Sequence, residues 1–366
     1  MFSLFRIALL LLVAVSTAQA ADRLRPPAGY LNAPLNSPKP PAHFVCPTFP
    51  APFTGALQFS SKYEGSDHAR ATLNPAAERQ YHQQTAAITR LEKQVSQLVM
   101  GYQRDGSAAR VACLVNGLES WARADALTST STSHTGRSMR KWALASLSSA
   151  WLQLQFSPAK PLAPWSAQSA DIERWLGNLA NLAVTDWAAL PIARTNNHSY
   201  WAAWAIMATS VVTQRHDLFA QSLTIYRTAA GQVDGDGFLP NELQRKQRAF
   251  SYHNYAIQPL VMIALFARSN GVEVSGENHG ALQRLAKQII AGFDDPRAFN
   301  QRAGVKQDLS FTRQRSNVAW LAGWCALESC DNKTEQLRDR QQPLRNTRLG
   351  GDLSGLFNGP SSPPEN

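Results

Sequence analysis

The stretch RTNNHSYWAAW, residues 194–204, sets His198 between the side-chain amides of Asn196 and Asn197 and the rings of Tyr200, Trp201 and Trp204. An imidazole with an ordinary pKa near ~6.5 is suited to taking a proton at neutral pH. An asparagine ahead of an apolar run is equally a helix N-cap, so the stretch admits two readings: a proton-transfer site, or a cap followed by a packed histidine. ELQRKQRAFSYHNYAIQPL, residues 242–260, adds Arg245, Lys246 and Arg248 ahead of Tyr252 and Tyr255. If this segment is helical, Arg245, Arg248 and Tyr252 fall at i, i+3 and i+7 on one face. Guanidinium and phenol together there would read carboxylates and hydroxyls. His253 points about 100° away from Tyr252 on a helix and reads as structural.

What is missing narrows the chemistry. Glycoside hydrolysis needs two carboxylates across the scissile bond, yet between Ala188 and Val233 the only acid is Asp217. Elimination in a uronic-acid polymer needs other groups: a cation or amide to hold the C6 carboxylate as charge spreads into it, a base for the C5 proton, and an acid for the departing O4. Asn197, Arg245, His198 and Tyr252 are side chains of those types. FSSKYEGSDHARATLN, residues 59–74, is polar and reads as a loop able to fold over a cleft. TSTSTSHTGRSMRKW, residues 128–142, brings His134, Arg137, Arg140 and Lys141 to a helix start, which suits an anionic ligand.

These residues need a scaffold. Eight segments between residues 74 and 294 carry apolar residues at helical spacing, joined by loops rich in Gly, Pro, Asn or Asp, and runs of alternating strand-like residues are absent. The reading is all-α, with helix pairs closing into a ring rather than a solenoid, because no repeat consensus recurs. Residues 1–20 pair Arg6 with an apolar run and a small-residue ending at Ala20, a secretory signal cleaved after that residue. No later run approaches the roughly 18 apolar residues of a membrane span. The formal charge of +10 becomes +9 once Arg6 is removed with the signal, so the exported protein should attract polyanions, with nucleic acid the least expected among them. Residues 21–56 are proline-rich and read as an extended arm, and the last nineteen, RLGGDLSGLFNGPSSPPEN, have the composition of a mobile tail. Cys46, Cys113, Cys325 and Cys330 permit three pairings in an oxidising compartment. Cys46 with Cys113 and Cys325 with Cys330 are expected.

NNHSYW followed by YHNY, with SKYEGSD near the N-terminus and GRSMRKWALASLSSAW between SKYEGSD and NNHSYW, resembles the periplasmic alginate lyases of polysaccharide lyase family 5 over roughly residues 40–330. The resemblance implies an incomplete (α/α) toroid spanning 57–330 with a deep cleft, followed by an extension over 331–366. It also implies β-elimination in mannuronate-rich alginate, with no metal or cofactor. Carried over by position, Asn197 and Arg245 neutralise the carboxylate, His198 is the C5 base and Tyr252 the acid. Lys62, Tyr63, Trp201 and Tyr255 line sugar subsites, with Lys62 on a mobile lid. Tyr252 serving as both base and acid stays open. Alginate is the implied partner, with an alginate secretion complex as a candidate association. The other readings are a lyase for a different uronate polymer such as glucuronan, and a non-catalytic polyanion-binding protein.

Overall fold

The computed structural model describes residues 23–34, 44–65, 67 and 69–357. The export signal expected at residues 1–20 lies outside them. Among the described residues the helices are α1 (Pro75–Asp105), α2 (Ala108–Arg123), α3 (His134–Gln155), α4 (Ser166–Trp187), α5 (Asn197–Thr213), α6 (His216–Gln232), α7 (Pro240–Leu243), α8 (Ala249–Ser269), α9 (Ala281–Asp294), α10 (Arg297–Ala303), α11 (Trp320–Leu327) and α12 (Asn332–Arg340). None is long and apolar enough to cross a membrane. The eight helices expected from periodicity are α1–α6, α8 and α9. The short α7, α10, α11 and α12 have too few turns to show a period.

The architecture is an α/α toroid with α5 at its centre, packed against α3, α4, α6 and α8. The sequence of α5, NHSYWAAWAIMATSVVT, is apolar on all sides, and almost every residue of it is buried. A helix without a polar face belongs inside a protein. Around it the outer helices are amphipathic and start on local signals. Asn74 Oδ1 accepts from Ala76 N and Ala77 N ahead of Pro75. Ser133 Oγ accepts from Gly136 N and donates to Phe59 O. Gly136 is required for contact rather than for its torsions, since a Cβ there would lie 1.7 Å from Leu57 O. The chain entering the lid can therefore lie against the first turn of α3.

The described parts of the proline-rich segment, residues 23–34 and 44–56, lie against the body. Tyr30 is buried against Phe266 and Phe357, Trp121 Nε1 donates to Pro50 O, and Cys46 is bonded to Cys113 in α2. Cys325 and Cys330 form the second disulfide. The tail departs from expectation through residue 357. Leu344, Leu349, Leu353 and Leu356 are buried, Arg345–Asn346 pairs antiparallel with Gly351–Asp352, and Gln153 Nε2 donates to Gly350 O at 2.5 Å. Three leucines of the tail, Leu349, Leu353 and Leu356, with Leu344 just ahead of it, outweigh the local Gly and Ser content, and the segment returns to cover the ring.

Candidate active site

A cavity of about 410 Å³ is lined by Lys62, Tyr63, Arg70, His134, Asn197, His198, Arg245, Arg248, Tyr252, Tyr255 and Arg348, with no carboxylate in its lining. One neighbouring cavity, about 330 Å³, shares Arg70, His134, His198 and Arg245 with it. Another, about 340 Å³, shares Tyr255, Asn317 and Arg348. The three adjoin, and in their walls basic residues outnumber the two acids, Glu92 and Asp186, which suits an extended polyanion.

The two readings of RTNNHSYWAAW prove compatible, because adjacent asparagines divide the work. Asn196 is the N-cap of α5, its Oδ1 accepting from His198 N at 3.0 Å. Asn197, the first helical residue, is buried at the cavity wall. Its backbone N–H and its Nδ2 donate to the buried Glu242, at 2.7 Å to Oε1 and at 3.0 Å to each oxygen respectively. Asn197 Oδ1 is buried without a partner. Burial pushes the Glu242 carboxyl above the usual range, while Arg245, 4.0 Å away, and the Asn197 donors pull it down. Sequence reasoning overlooked Glu242, although it stands three residues before Arg245.

His198 sits in an aromatic box. Trp187 stacks on its ring at 5.5 Å and 9°, and His134 meets it edge-on at 4.7 Å. Its Nδ1 lies 2.8 Å from Lys141 Nζ and 3.1 Å from Ser138 Oγ. Burial holds His198 well below its ordinary pKa, so the imidazole is neutral. His134, pushed down to about 3 by burial, is neutral as well.

Residues 242–260 are not one continuous helix. The chain turns after α7, with Lys246 at φ 50°, and α8 starts only at Ala249. The turn still delivers the expected cluster, with the Arg245 guanidinium 4.5 Å and that of Arg248 5.6 Å from the Tyr252 ring. Tyr252 OH is 2.7 Å from Tyr63 OH, which also accepts from Arg248 Nη1 at 3.3 Å. Burial and then the neighbouring Tyr63 push the Tyr252 phenol far above its ordinary range, so it holds its proton. The lid loop carrying Lys62 and Tyr63 lies over the cleft, where Ala69 O accepts from Arg245 Nη1 at 3.1 Å.

Trp201, expected to line a subsite, is completely buried, with its ring in the wall of the cavity of about 340 Å³. Pro259 lacks the N–H that would bond the carbonyl of residue 255 in α8. Trp201 Nε1 donates to that carbonyl at 3.1 Å, and its ring stacks behind Tyr255 at 4.9 Å. Tyr255 lines the cleft and Trp201 supports it. His253 is structural as read, bonded to Ala249 O and Leu239 N. Of the basic cluster opening α3, only His134 and Arg137 reach a cavity surface. Arg140 turns inward to Ser129 O and Asp186, and Lys141 to His198, since this part of α3 is enclosed. The tail supplies a residue that composition concealed: Arg348 donates to Tyr255 OH at 3.1 Å, covers the Trp142 ring at 4.2 Å and faces Glu92 at 3.6 Å.

A family model described as alginate lyase matches residues 58–299. The chain is 50% identical to the alginate lyase of Pseudomonas putida strain GB-1 over 348 residues, 95% of each chain. It is 48% identical to that of Pseudomonas aeruginosa over 346 residues, 94% of each. Its backbone is similar to the crystal structure of alginate lyase A1-III from Sphingomonas species A1, with a TM-score of 0.71 and 24% identity over 87% of this chain and 89% of that one. With close relatives covering almost its whole length and the family model matching the part that builds the cleft, this chain belongs to the alginate lyase family.

Proposed function

We propose that the protein is a lyase for poly(β-D-mannuronate) that cleaves alginate by β-elimination. The observation that carries this is the meeting of a neutral histidine, a protonated tyrosine, a buried amide and an arginine in a central cavity lined by no carboxylate. Hydrolysis by a carboxylate pair has no residues to use at that point.

Arg245 and Asn197 hold the C6 carboxylate. Protonation of Glu242 would let its O–H bond Asn197 Oδ1 and turn the amide nitrogen toward the sugar. His198 Nε2 removes the C5 proton, and that electron pair becomes the C4–C5 double bond. The C4–O4 bond breaks, and the departing O4 takes the Tyr252 proton. The His198 proton then returns to the Tyr252 phenolate by way of solvent. The depressed His198 pKa leaves a base free below pH ~6.5, and the raised Tyr252 pKa keeps an acid protonated. Both directions favour this division of labour over Tyr252 performing both steps. Mannuronate rather than guluronate is what the family resemblance implies, the C5 hydrogen and O4 lying on one side of the ring in the first and on opposite sides in the second.

The deciding assay follows ultraviolet absorbance of unsaturated ends on mannuronan, guluronan and glucuronan, with wild type, His198→Ala and Tyr252→Phe. Gain on mannuronan, lost in both variants, is expected. Gain on glucuronan alone would make this a lyase for another uronate. Retention of alginate with no gain on any polymer would leave a polyanion-binding protein. Residues 1–20 as an export signal belong to the same reading and place the enzyme in the periplasm, where an alginate secretion complex would supply polymer. A mature N-terminus at Ala21 is the check.

A further inference from the structure

Lys141 is a lysine in an unusual place. It stands in the third turn of α3, wholly buried, and lysines are almost never fully buried unless paired. Its Nζ lies 3.6 Å from the centroid of the Trp187 ring, and its one hydrogen-bond partner is His198 Nδ1, at 2.8 Å. No carboxylate pairs with it among the described residues. Asp186, the acid whose field reaches it, faces Arg140 at 3.9 Å, and Arg348 and Arg137 oppose a positive charge there.

An ammonium carries three N–H donors and no acceptor. Among the described residues only His198 Nδ1 stands as an acceptor for them, so two would be left to the Trp187 and Trp142 ring faces, at the expense of a buried charge without a carboxylate partner. An uncharged amine fits the contacts better, with its lone pair accepting from Nδ1–H. Ser138 supports this. Its hydroxyl is 2.9 Å from His134 O, to which it donates, so the Oγ that lies 3.1 Å from Nδ1 faces the ring as an acceptor. Both polar neighbours of Nδ1 then ask for a proton from it. Burial holds the Lys141 amine far below the usual lysine range, as this arrangement requires.

We propose that Lys141 is a positioning residue that accepts the Nδ1 proton of His198 as an uncharged amine and so leaves Nε2 unprotonated toward the cleft. The inference rests on the elimination reading, in which Nε2 takes the C5 proton. The imidazolium formed there keeps its Nδ1–H···Nζ bond and its stack on Trp187, and meets no fixed cation at Nδ1. A charged Lys141 would do the reverse, donating to Nδ1, forcing the proton onto Nε2 and converting His198 from base to hydrogen-bond donor.

Nitrogen-15 NMR of the full chain labelled at histidine tests this without turnover, with His198 assigned by its loss in His198→Ala. Near pH 7 a protonated Nδ1 and an unprotonated Nε2 are expected, and a protonated Nε2 beside a bare Nδ1 overturns the proposal. Lys141→Arg, a permanent cation and donor, should move the proton to Nε2. Lys141→Met, which removes the buried amine, should lower kcat on mannuronan at least ~30-fold while KM stays within ~3-fold, with folding checked by circular dichroism. A folded Lys141→Met with wild-type kcat also overturns the proposal. Wild type making no unsaturated product on any uronate polymer would instead sink the elimination reading and leave the tautomer measurement standing.

Discussion

Replacing Glu242 separates its part in the fold from its part in the site. The carboxyl is wholly buried and receives the Asn197 backbone N–H at 2.7 Å and its side-chain amide at 3.0 Å to each oxygen, with Arg245 Nε 4.0 Å away. In Glu242→Ala two buried donor groups lose their acceptor, at ~1–3 kcal/mol each, and Arg245 loses its nearest counter-charge. A loss of about 3–5 kcal/mol is expected, a large share of the 5–15 kcal/mol that holds a typical protein together. Glu242→Gln keeps the volume. Its carbonyl still accepts from Asn197 N–H, and its amide drives Asn197 to turn so that Oδ1 accepts and Nδ2 faces the cleft. That gives the unpartnered Oδ1 a donor, and a cost of about 1 kcal/mol or less is expected. Urea unfolding gives the stabilities, and initial rates of absorbance gain on mannuronan give kcat and KM. KM should rise in Glu242→Ala and stay level or fall in Glu242→Gln. Because burial raises the folded carboxyl above its ordinary value near ~4.3, the stability it contributes is complete below that pH and is lost as pH rises through the folded pKa. Glu242→Gln should therefore gain on wild type as pH climbs. A Glu242→Ala protein within 1 kcal/mol of wild type, or Glu242→Gln as unstable as Glu242→Ala, would refute the reasoning.

Three other outcomes follow from the same structure. The Cys46–Cys113 bond spans 67 residues of sequence and Cys325–Cys330 spans 5. Chain entropy then predicts losses of about 4 and about 2 kcal/mol when each pair is replaced by alanine, read by non-reducing urea unfolding, and equal losses would contradict that origin. Arg348→Met removes the Tyr255 and Trp142 contacts and leaves the buried Glu92 unpaired. KM on mannuronan should rise ~10-fold with a smaller change in kcat, together with ~3 kcal/mol of destabilisation. His253 is pushed down to about 4 by burial. Above its unfolded value near 6.5 it is neutral in both states, and as pH falls from there toward 4 the unfolded chain binds a proton that the fold refuses. By pH 5 this costs about 2 kcal/mol. Stability measured from pH 7 to 5 should fall less by that amount in His253→Gln, and parallel curves would contradict the assignment.

The parts of this protein legible in its sequence are those whose physics is local. Periodicity located the long helices because each must bury one face, and Asn196 is recognisable as a cap because its partner, His198 N, is two residues away. The groups that determine the chemistry are decided elsewhere. Glu242 reaches Asn197 across 45 residues, Lys141 reaches His198 across 57 and Arg348 reaches Tyr255 across 93, and no local pattern marks these pairs. Trp201 illustrates the boundary. An aromatic at the mouth of a helix looks like a sugar platform, but Pro259 leaves a carbonyl free in the helix alongside, and an indole N–H is drawn in to satisfy it. The tail failed for a different reason. Composition averages over spacing, and three leucines among glycines and serines suffice to pack a segment and carry an arginine into the cleft. A ring of helices places the starts of α3, α5 and α8 around one opening, so residues far apart in sequence meet where the helices begin. The side-chain types lining the cleft could be read in the sequence, whereas the buried groups that contact them, Lys141 at His198 and Glu242 at Asn197, become visible only when those starts are brought together.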